Sequence, residues 1–241
     1  MLGQFKQLVK KLLFILFNKH YYNNTTSFAQ AGEDKVLEFL FSSMGISTIT
    51  YLEIGTNNPI AYNNTYLFYL KGSRGVCVEP NPNLIEQIKK YRPNDVCLNV
   101  GVAKENIEEL DFYIFDHNDS AKGLSTFSKD EVTLVESTTS IKLEKIIKIP
   151  VININKILEE YFATKAPDFV SIDVEGLDLE ILQSFNFDLF RPIVFCVETV
   201  NFTTNHKKTK RLDIIDFMQS KDYFVYADTG INSIFADKKL F

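Results

Sequence analysis

The chain has 241 residues, 45% hydrophobic and 13% aromatic, enough for one substantial core and short for two comfortable domains. Its 26 basic and 31 acidic residues give a formal net charge of -5, so it lacks the electropositive footprint on which nucleic-acid binding relies, and no nucleic-acid partner is expected. Cys77, Cys97 and Cys196 each fall in an apolar strand-like run without Cys-x-x-Cys spacing, and read as buried reduced thiols of a cytoplasmic protein.

The first segment, FKQLVKKLLFILFNKHYY, is basic and apolar. Its uninterrupted apolar core, Leu12 to Phe17, is far shorter than the roughly 20 residues that span a bilayer, and no Ala-x-Ala-like cleavage site follows. Two readings remain: an interfacial helix with Lys6, Lys10, Lys11 and Lys19 among lipid headgroups, or a helix packed on its own domain or on a second copy of the chain. Residues 1–26 are therefore set apart as an appendage, residues 1–20 being the candidate contact to the inner face of a membrane or to a homo-oligomer partner. Residues 27–241 form one domain.

Within that domain strand-like and helix-like segments alternate. A helix is expected over Asp34 to Phe41, a strand over Thr48 to Ile54, a strand over Gly75 to Glu79, a helix over Asn83 to Tyr91, and strands over Val96 to Val100 and Leu110 to Phe115. Then come a helix over Ile154 to Phe162, a strand over Phe169 to Asp173, a helix over Leu177 to Phe185, a strand over Ile193 to Glu198, a helix over Lys207 to Ser220, and strands over Phe224 to Asp228 and Ile231 to Ala236. Continuously apolar runs such as GVCV and PIVFCV are the mark of parallel strands covered on both faces. The last two strands are separated by little more than DTG, so they form an antiparallel hairpin. The fold class is α/β, a doubly wound, mostly parallel sheet with an antiparallel C-terminal strand. The polar, Ser- and Thr-rich stretch at about 110–150 breaks the rhythm and reads as an insertion beside the site.

Ligands of open parallel sheets collect beyond the carboxyl ends of the strands. Four of those ends carry acids: Glu53, Glu79, Asp173 with Glu175, and Glu198. A single such acid is most simply a helix cap or a solvated loop residue; four together point to a ligand site. Glu79 follows Gly55 at about the separation, roughly 20 residues, at which dinucleotide sites place the acid that binds a ribose. A nicotinamide cofactor also needs Gly-x-Gly-x-x-Gly for its pyrophosphate. Here Gly55 is followed by Thr56, Asn57, Asn58 and Pro59, which suits a phosphate-free adenosine cofactor, S-adenosylmethionine, better than NAD.

SFAQAGEDKVL, YLEIGTNNP, NNTYLFY, GVCVEPNP, LNVGVA, DFVSIDVEGLDLEIL and FRPIVFCVET together resemble the FkbM-type methyltransferases, in order and register over about Ser27 to Thr199. The resemblance implies S-adenosylmethionine dependence, a class I Rossmann-like fold, and methylation of oxygen, often on sugars or polyketide-type products. It places Glu53, Gly55 and Asn57 in the cofactor's first loop, Glu79 on the ribose, Asn81 in the same turn, Asn99, Val100 and Gly101 beside adenine, and Asp173 opposite the methyl donor. The family's first loop more often reads Asp-x-Gly-Ala-Asn-x-Gly, so Glu53, Thr56 and Pro59 depart from it. Pro59 is expected to stiffen the loop and reshape the methionine end of the pocket.

Methyl transfer to a sugar hydroxyl calls for a base or an acidifying metal. Asp173, Glu175 and His206 are the candidate catalytic groups, with His117 a further candidate. Asp173 and Glu198 are a candidate Mg²⁺ pair, although two carboxylates are a thin ligand set. Gln30 and Glu33 in SFAQAGED are expected to close the pocket, with helix capping by Ser27 or Asp34 as the plain alternative. LSTFS, Leu124 to Ser128, offers hydroxyls to a polar acceptor or simply makes a turn. The acceptor is read as a small molecule or glycan. The rival readings are a non-catalytic Rossmann-like binding protein and a nicotinamide oxidoreductase.

Overall fold

The computed structural model describes residues 26–115, 123–174, 176–200 and 209–241. The contact expected of residues 1–20, and the candidate groups Glu175, His117 and His206, lie outside the described residues. No helix among those described is long and apolar enough to cross a membrane.

The main sheet has seven strands: β1 (Thr50–Ile54), β2 (Arg74–Val78), β3 (Val96–Leu98), β7 (Phe169–Ile172), β8 (Val194–Glu198), β9 (Tyr223–Asp228) and β10 (Asn232–Asp237). Their order is β3-β2-β1-β7-β8-β10-β9. The pairs among β3, β2, β1, β7 and β8 are parallel, and β10 runs antiparallel to both β8 and β9. The doubly wound class I methyltransferase sheet implied by the resemblance is therefore present. Its reversed strand sits one place in from the edge rather than at it, because the hairpin inserts β10 between β8 and β9.

Strand alternation sends Leu52 and Ile54 to one face of β1, and Tyr51 and Glu53 to the other. The first face packs on α5 (Ile154–Tyr161), α6 (Asp178–Ser184) and α7 (Leu212–Ser220) through Ile157, Leu158, Ile181, Leu182, Ile214 and Met218. The second packs on α1 (Glu33–Ser43), α2 (Tyr66–Leu70) and α3 (Pro82–Tyr91) through Leu37, Leu40, Phe41, Phe68, Ile85 and Ile88. The three cysteines are free, with Cys77 and Cys196 buried and Cys97 half-buried, as expected of core thiols.

The insertion contributes to a second sheet of order β4-β6-β5, made by β4 (Gly101–Ala103), β5 (Ile107–Phe115) and β6 (Leu143–Asn153), with α4 (Lys129–Thr138) between β5 and β6 in the chain. β4, β6 and the helices α2 and α4 are absent from the sequence reading. In β6 the burial alternates while the chemistry does not: Lys145 faces inward and Ile146 outward, which erases the period-2 signal.

One polar cluster lies inside the second layer. Arg92, directly after α3, is fully buried and has an acceptor for each guanidinium nitrogen. Nε donates to Asp95 (2.8 Å), Nη1 to Glu53 (3.0 Å) and Asn63 (3.2 Å), and Nη2 to the Thr65 hydroxyl (2.7 Å). Asp95 also accepts from the Tyr51 hydroxyl (2.7 Å) and the Gly75 amide (3.0 Å). Burial pushes the Glu53 carboxyl up from its ordinary value, and Arg92 pulls it back. Glu53, read in the sequence as a cofactor ligand, is thus a structural partner of Arg92.

Removing one member of such a pair strands the other charge, which costs roughly 3–5 kcal/mol. R92M is expected to lose about that much in urea unfolding. The double variant E53Q/R92M should recover a substantial part of the loss, because no buried charge is left unpaired.

Candidate active site

A cavity of about 730 Å³ opens beyond the carboxyl ends of β1, β2 and β7, and the insertion walls it on one side. Of the residues singled out in the sequence, Gly55, Asn57, Glu79, Val100, Gly101 and Asp173 line it, together with Gln30 and the Ser125 and Thr126 of LSTFS. Glu53, Asn81, Asn99 and Glu198 are not on its wall.

Asn81 is instead the N-cap of α3, its side chain accepting from the Asn83 amide at 3.0 Å. The Asn99 amide donates to the carbonyls of Glu79 (2.9 Å) and Pro80 (2.8 Å), which pins the turn that carries Glu79. Glu33 is buried, with its Oε1 accepting from Thr229 (2.8 Å) and Asn232 (2.9 Å), so it fixes the β9–β10 turn rather than closing the cavity. Asp34 accepts from Ser27 and the Phe28 amide, which anchors the segment bearing Gln30. Ser128 caps α4 through the Glu131 amide (3.3 Å). Pro59 is buried and off the cavity wall, so it does not reshape the pocket directly.

The first loop depends on one glycine for a reason the sequence hides. Gly55 has φ 82, and a Cβ there would stand 1.8 Å from the Asp173 carbonyl oxygen. The Asp173 amide also donates to the Ile54 carbonyl (3.1 Å), so β1 and β7 touch backbone to backbone just where their ends carry the site. The amides of the turn are already spent. Gly55 N and Thr56 N donate to the Val78 carbonyl (3.0 and 3.1 Å), and Asn57 N donates to Glu79 Oε2 (2.8 Å). A pyrophosphate would find no open amide cradle there.

Glu79 is buried, and its second oxygen accepts from the Asn81 amide at 2.8 Å. Burial pushes its carboxyl up to about 7, against the pull of the Asn81 and Asn57 amides. Asp173 is likewise raised to about 7, first by burial and then by the charges of Asp178, Glu53 and Glu33. Asp178, which the sequence reading passed over, accepts from Val174 N (3.3 Å) and Gly176 N (3.2 Å), and so braces the loop that follows Asp173. Burial raises it to about 6. Phe112 and Tyr62 also line the cavity without having been foreseen, and Phe127 lines it from within LSTFS, of which only the hydroxyls are singled out in the sequence. Their only sequence signal was aromaticity, which a chain with 21 Phe and 11 Tyr offers everywhere.

Among the described residues the wall carries two carboxylates, Glu79 and Asp173, and no lysine, arginine or histidine. That donor set suits a ligand with a positive centre and a diol, and repels phosphate. S-Adenosylmethionine fits it on both counts. Among the described residues no group of three or more His, Cys, Asp or Glu side chains is arranged to hold a metal ion, so the Asp173 and Glu198 pair gains no third protein ligand.

A family model described as "Methyltransferase FkbM domain" matches residues 53–225. No curated protein matches the chain. Among solved structures, a TehB-like SAM-dependent methyltransferase from Corynebacterium glutamicum is similar at a TM-score of 0.43 and 8% identity, covering 95% of this chain and 99% of that one. An O-methyltransferase from Bacillus cereus in complex with SAH is similar at 0.41 and 14% identity, covering 93% of this chain and 89% of that one. A fibrillarin pre-rRNA processing protein from Methanococcus jannaschii is similar at 0.42 and 8% identity, covering 80% of this chain and 67% of that one.

Glu79 and Asp173 titrate near 7 in the native state and near the ordinary carboxylate range when unfolded. The native state therefore takes up protons first as pH falls. The stability so gained is fully present below the unfolded value and is lost as pH rises through about 7. In urea unfolding of the unliganded protein, Glu79 alone should contribute roughly 1 kcal/mol more stability at about pH 6 than at about pH 8. E79Q should lose that share of the slope.

Proposed function

Because the chain belongs to the FkbM methyltransferase family, which uses S-adenosylmethionine, we propose that it methylates a hydroxyl of a sugar or glycan-related acceptor. The observation that carries this reading is the presence of two carboxylates, Glu79 and Asp173, both raised to about 7, on the wall of a cavity that has no cationic side chain among the described residues.

When bound, S-adenosylmethionine supplies an electrophilic methyl on a positive sulfur. Glu79 keeps lone pairs for two ribose hydroxyls, while its backbone partners, the amides of Asn57 and Asn81, hold its carboxylate still. Val100, Gly101 and Asn57 line the same cavity, where Val100 and Gly101 would flank the adenine and Asn57 would face the methionine part. The Asp173 carboxylate has two tasks. It favours the positive centre, and it accepts the proton that the acceptor hydroxyl gives up as its oxygen attacks in line. A carboxyl raised to about 7 is a far stronger base than an ordinary aspartate, yet is substantially ionised at neutral pH. Asp178 serves this chemistry indirectly, through the two amides that shape the Asp173 loop.

The test is a mass-shift screen for one added methyl on free sugars, glycosides, nucleotide sugars and glycans, run with and without Mg²⁺. On an acceptor found in that way, D173N should lower kcat by about 10²- to 10⁴-fold, the range of general-base loss. E79A should weaken S-adenosylhomocysteine by at least about tenfold in calorimetry. Unchanged affinity in E79A would remove the ribose assignment, and turnover only on non-carbohydrate hydroxyls would overturn the acceptor class.

A further inference from the structure

Tyr62 stands at the cavity with 73% of its surface exposed, more than any other large apolar side chain among the described residues. Its φ is 57, the left-handed region that a side chain with a Cβ avoids. The ring is not there because its segment is loose. Asn58 Oδ1 accepts from the amides of Ile60 and Ala61 (both 2.9 Å). The next residue, Asn63, is buried, with its Nδ2 donating to Glu53 (3.1 Å) and to the carbonyls of Thr56 (3.3 Å) and Asn58 (3.2 Å). Its own amide donates to the Phe28 carbonyl (3.0 Å). A tightly fixed turn thus holds an aromatic ring out in water, in a backbone conformation that would suit glycine better. Backbone strain of this kind persists where a site uses it.

Resting on the reading of the protein as a sugar O-methyltransferase, we propose that Tyr62 is the platform on which the acceptor ring lies, and that the acceptor is an uncharged pyranoside. A pyranose presents a face of C–H groups that packs on an aromatic ring, while its hydroxyls point sideways. Gln30 and Asn58 line the same cavity and carry amides for those hydroxyls. The carboxylates of Glu79 and Asp173, with no lysine or arginine on the described wall, disfavour a phosphorylated sugar.

The chain contains no tryptophan, so Y62W carries a single fluorescent reporter at the proposed platform. The probes are the methyl glycosides of glucose, mannose, galactose and rhamnose, and glucose 1-phosphate, each titrated with S-adenosylhomocysteine present. A saturable emission change is expected with at least one glycoside and not with the phosphate. On the glycoside that is methylated, Y62A should raise KM by about tenfold with kcat nearly unchanged, and Y62F should behave as wild type. S-Adenosylhomocysteine affinity should not move in either variant. Y62G should also raise KM while its melting temperature is no lower than wild type, since glycine relieves the left-handed backbone. A methylated glycoside with wild-type KM in Y62A would overturn the platform and leave the sugar reading standing. A preference for the phosphorylated sugar would overturn the uncharged class. Neither methylation nor an emission change with any glycoside would overturn both readings.

Discussion

The site rests on a buried ion pair that never touches it. Arg92 and Glu53 are both out of solvent, and desolvating two charges costs several kcal/mol per ion, roughly what their attraction and hydrogen bonds return. Their value lies in what else the guanidinium holds. Through Asn63 and Thr65 it fastens the far end of the loop that begins at Gly55, and through Asp95 it fastens Tyr51 and the start of β2. Loops at strand ends usually move more than the strands themselves. This one is tied to the core at both ends, at Val78 by its first amides and at Arg92 by Asn63. Asn63 also sits in an Asn-x-Thr sequence, but at 1% exposure it is a structural hub and not a modification site.

Around that fixed loop the protein gathers like charges. Glu79, Asp173 and Asp178 are all raised, which means that each makes the empty folded state less stable at neutral pH than an isolated carboxylate would. A positive ligand favours their ionised forms, so the cost of burying them in the empty site becomes selectivity for a cation. The same carboxylates explain why a single glycine suffices. The backbone amides that a pyrophosphate would need are used to hold Glu79 and to bind β1 to β2.

Much of this was legible in the sequence, and the failures have physical causes. Apolar runs marked every strand of the main sheet, and acids marked the ends where ligands gather. Which acids face the cavity was not legible. Glu53 lies inside β1 on the Tyr51 face, beneath α3, whereas Glu79 and Asp173 follow the last residues of β2 and β7 and are free to turn toward the cavity. The partner that claims Glu53 is Arg92, far away in the chain and at a position that reads as an ordinary helix C-terminal base. Gly55 is a point of close backbone approach, and what approaches is the Asp173 carbonyl. That contact joins two strands that are distant in sequence, and no local pattern encodes it.

The insertion is part of the site rather than an addition beside it. β4 begins at Gly101, where a Cβ would lie 2.5 Å from the Phe127 ring, so the cavity wall at Val100 and Gly101 is shaped by a side chain of the insertion. Further along, Glu131 hydrogen-bonds Thr126 on that wall, and its other oxygen would stand 2.8 Å from a Cβ at Gly176, in the loop that follows Asp173. α4 therefore meets the cavity wall with one oxygen of Glu131 and lies beside the loop of the candidate base with the other. A change in how the insertion packs is therefore felt at Gly101 and Thr126 on the cavity wall and beside the loop that follows Asp173 together, while the loop that begins at Gly55 keeps its own anchor at Arg92.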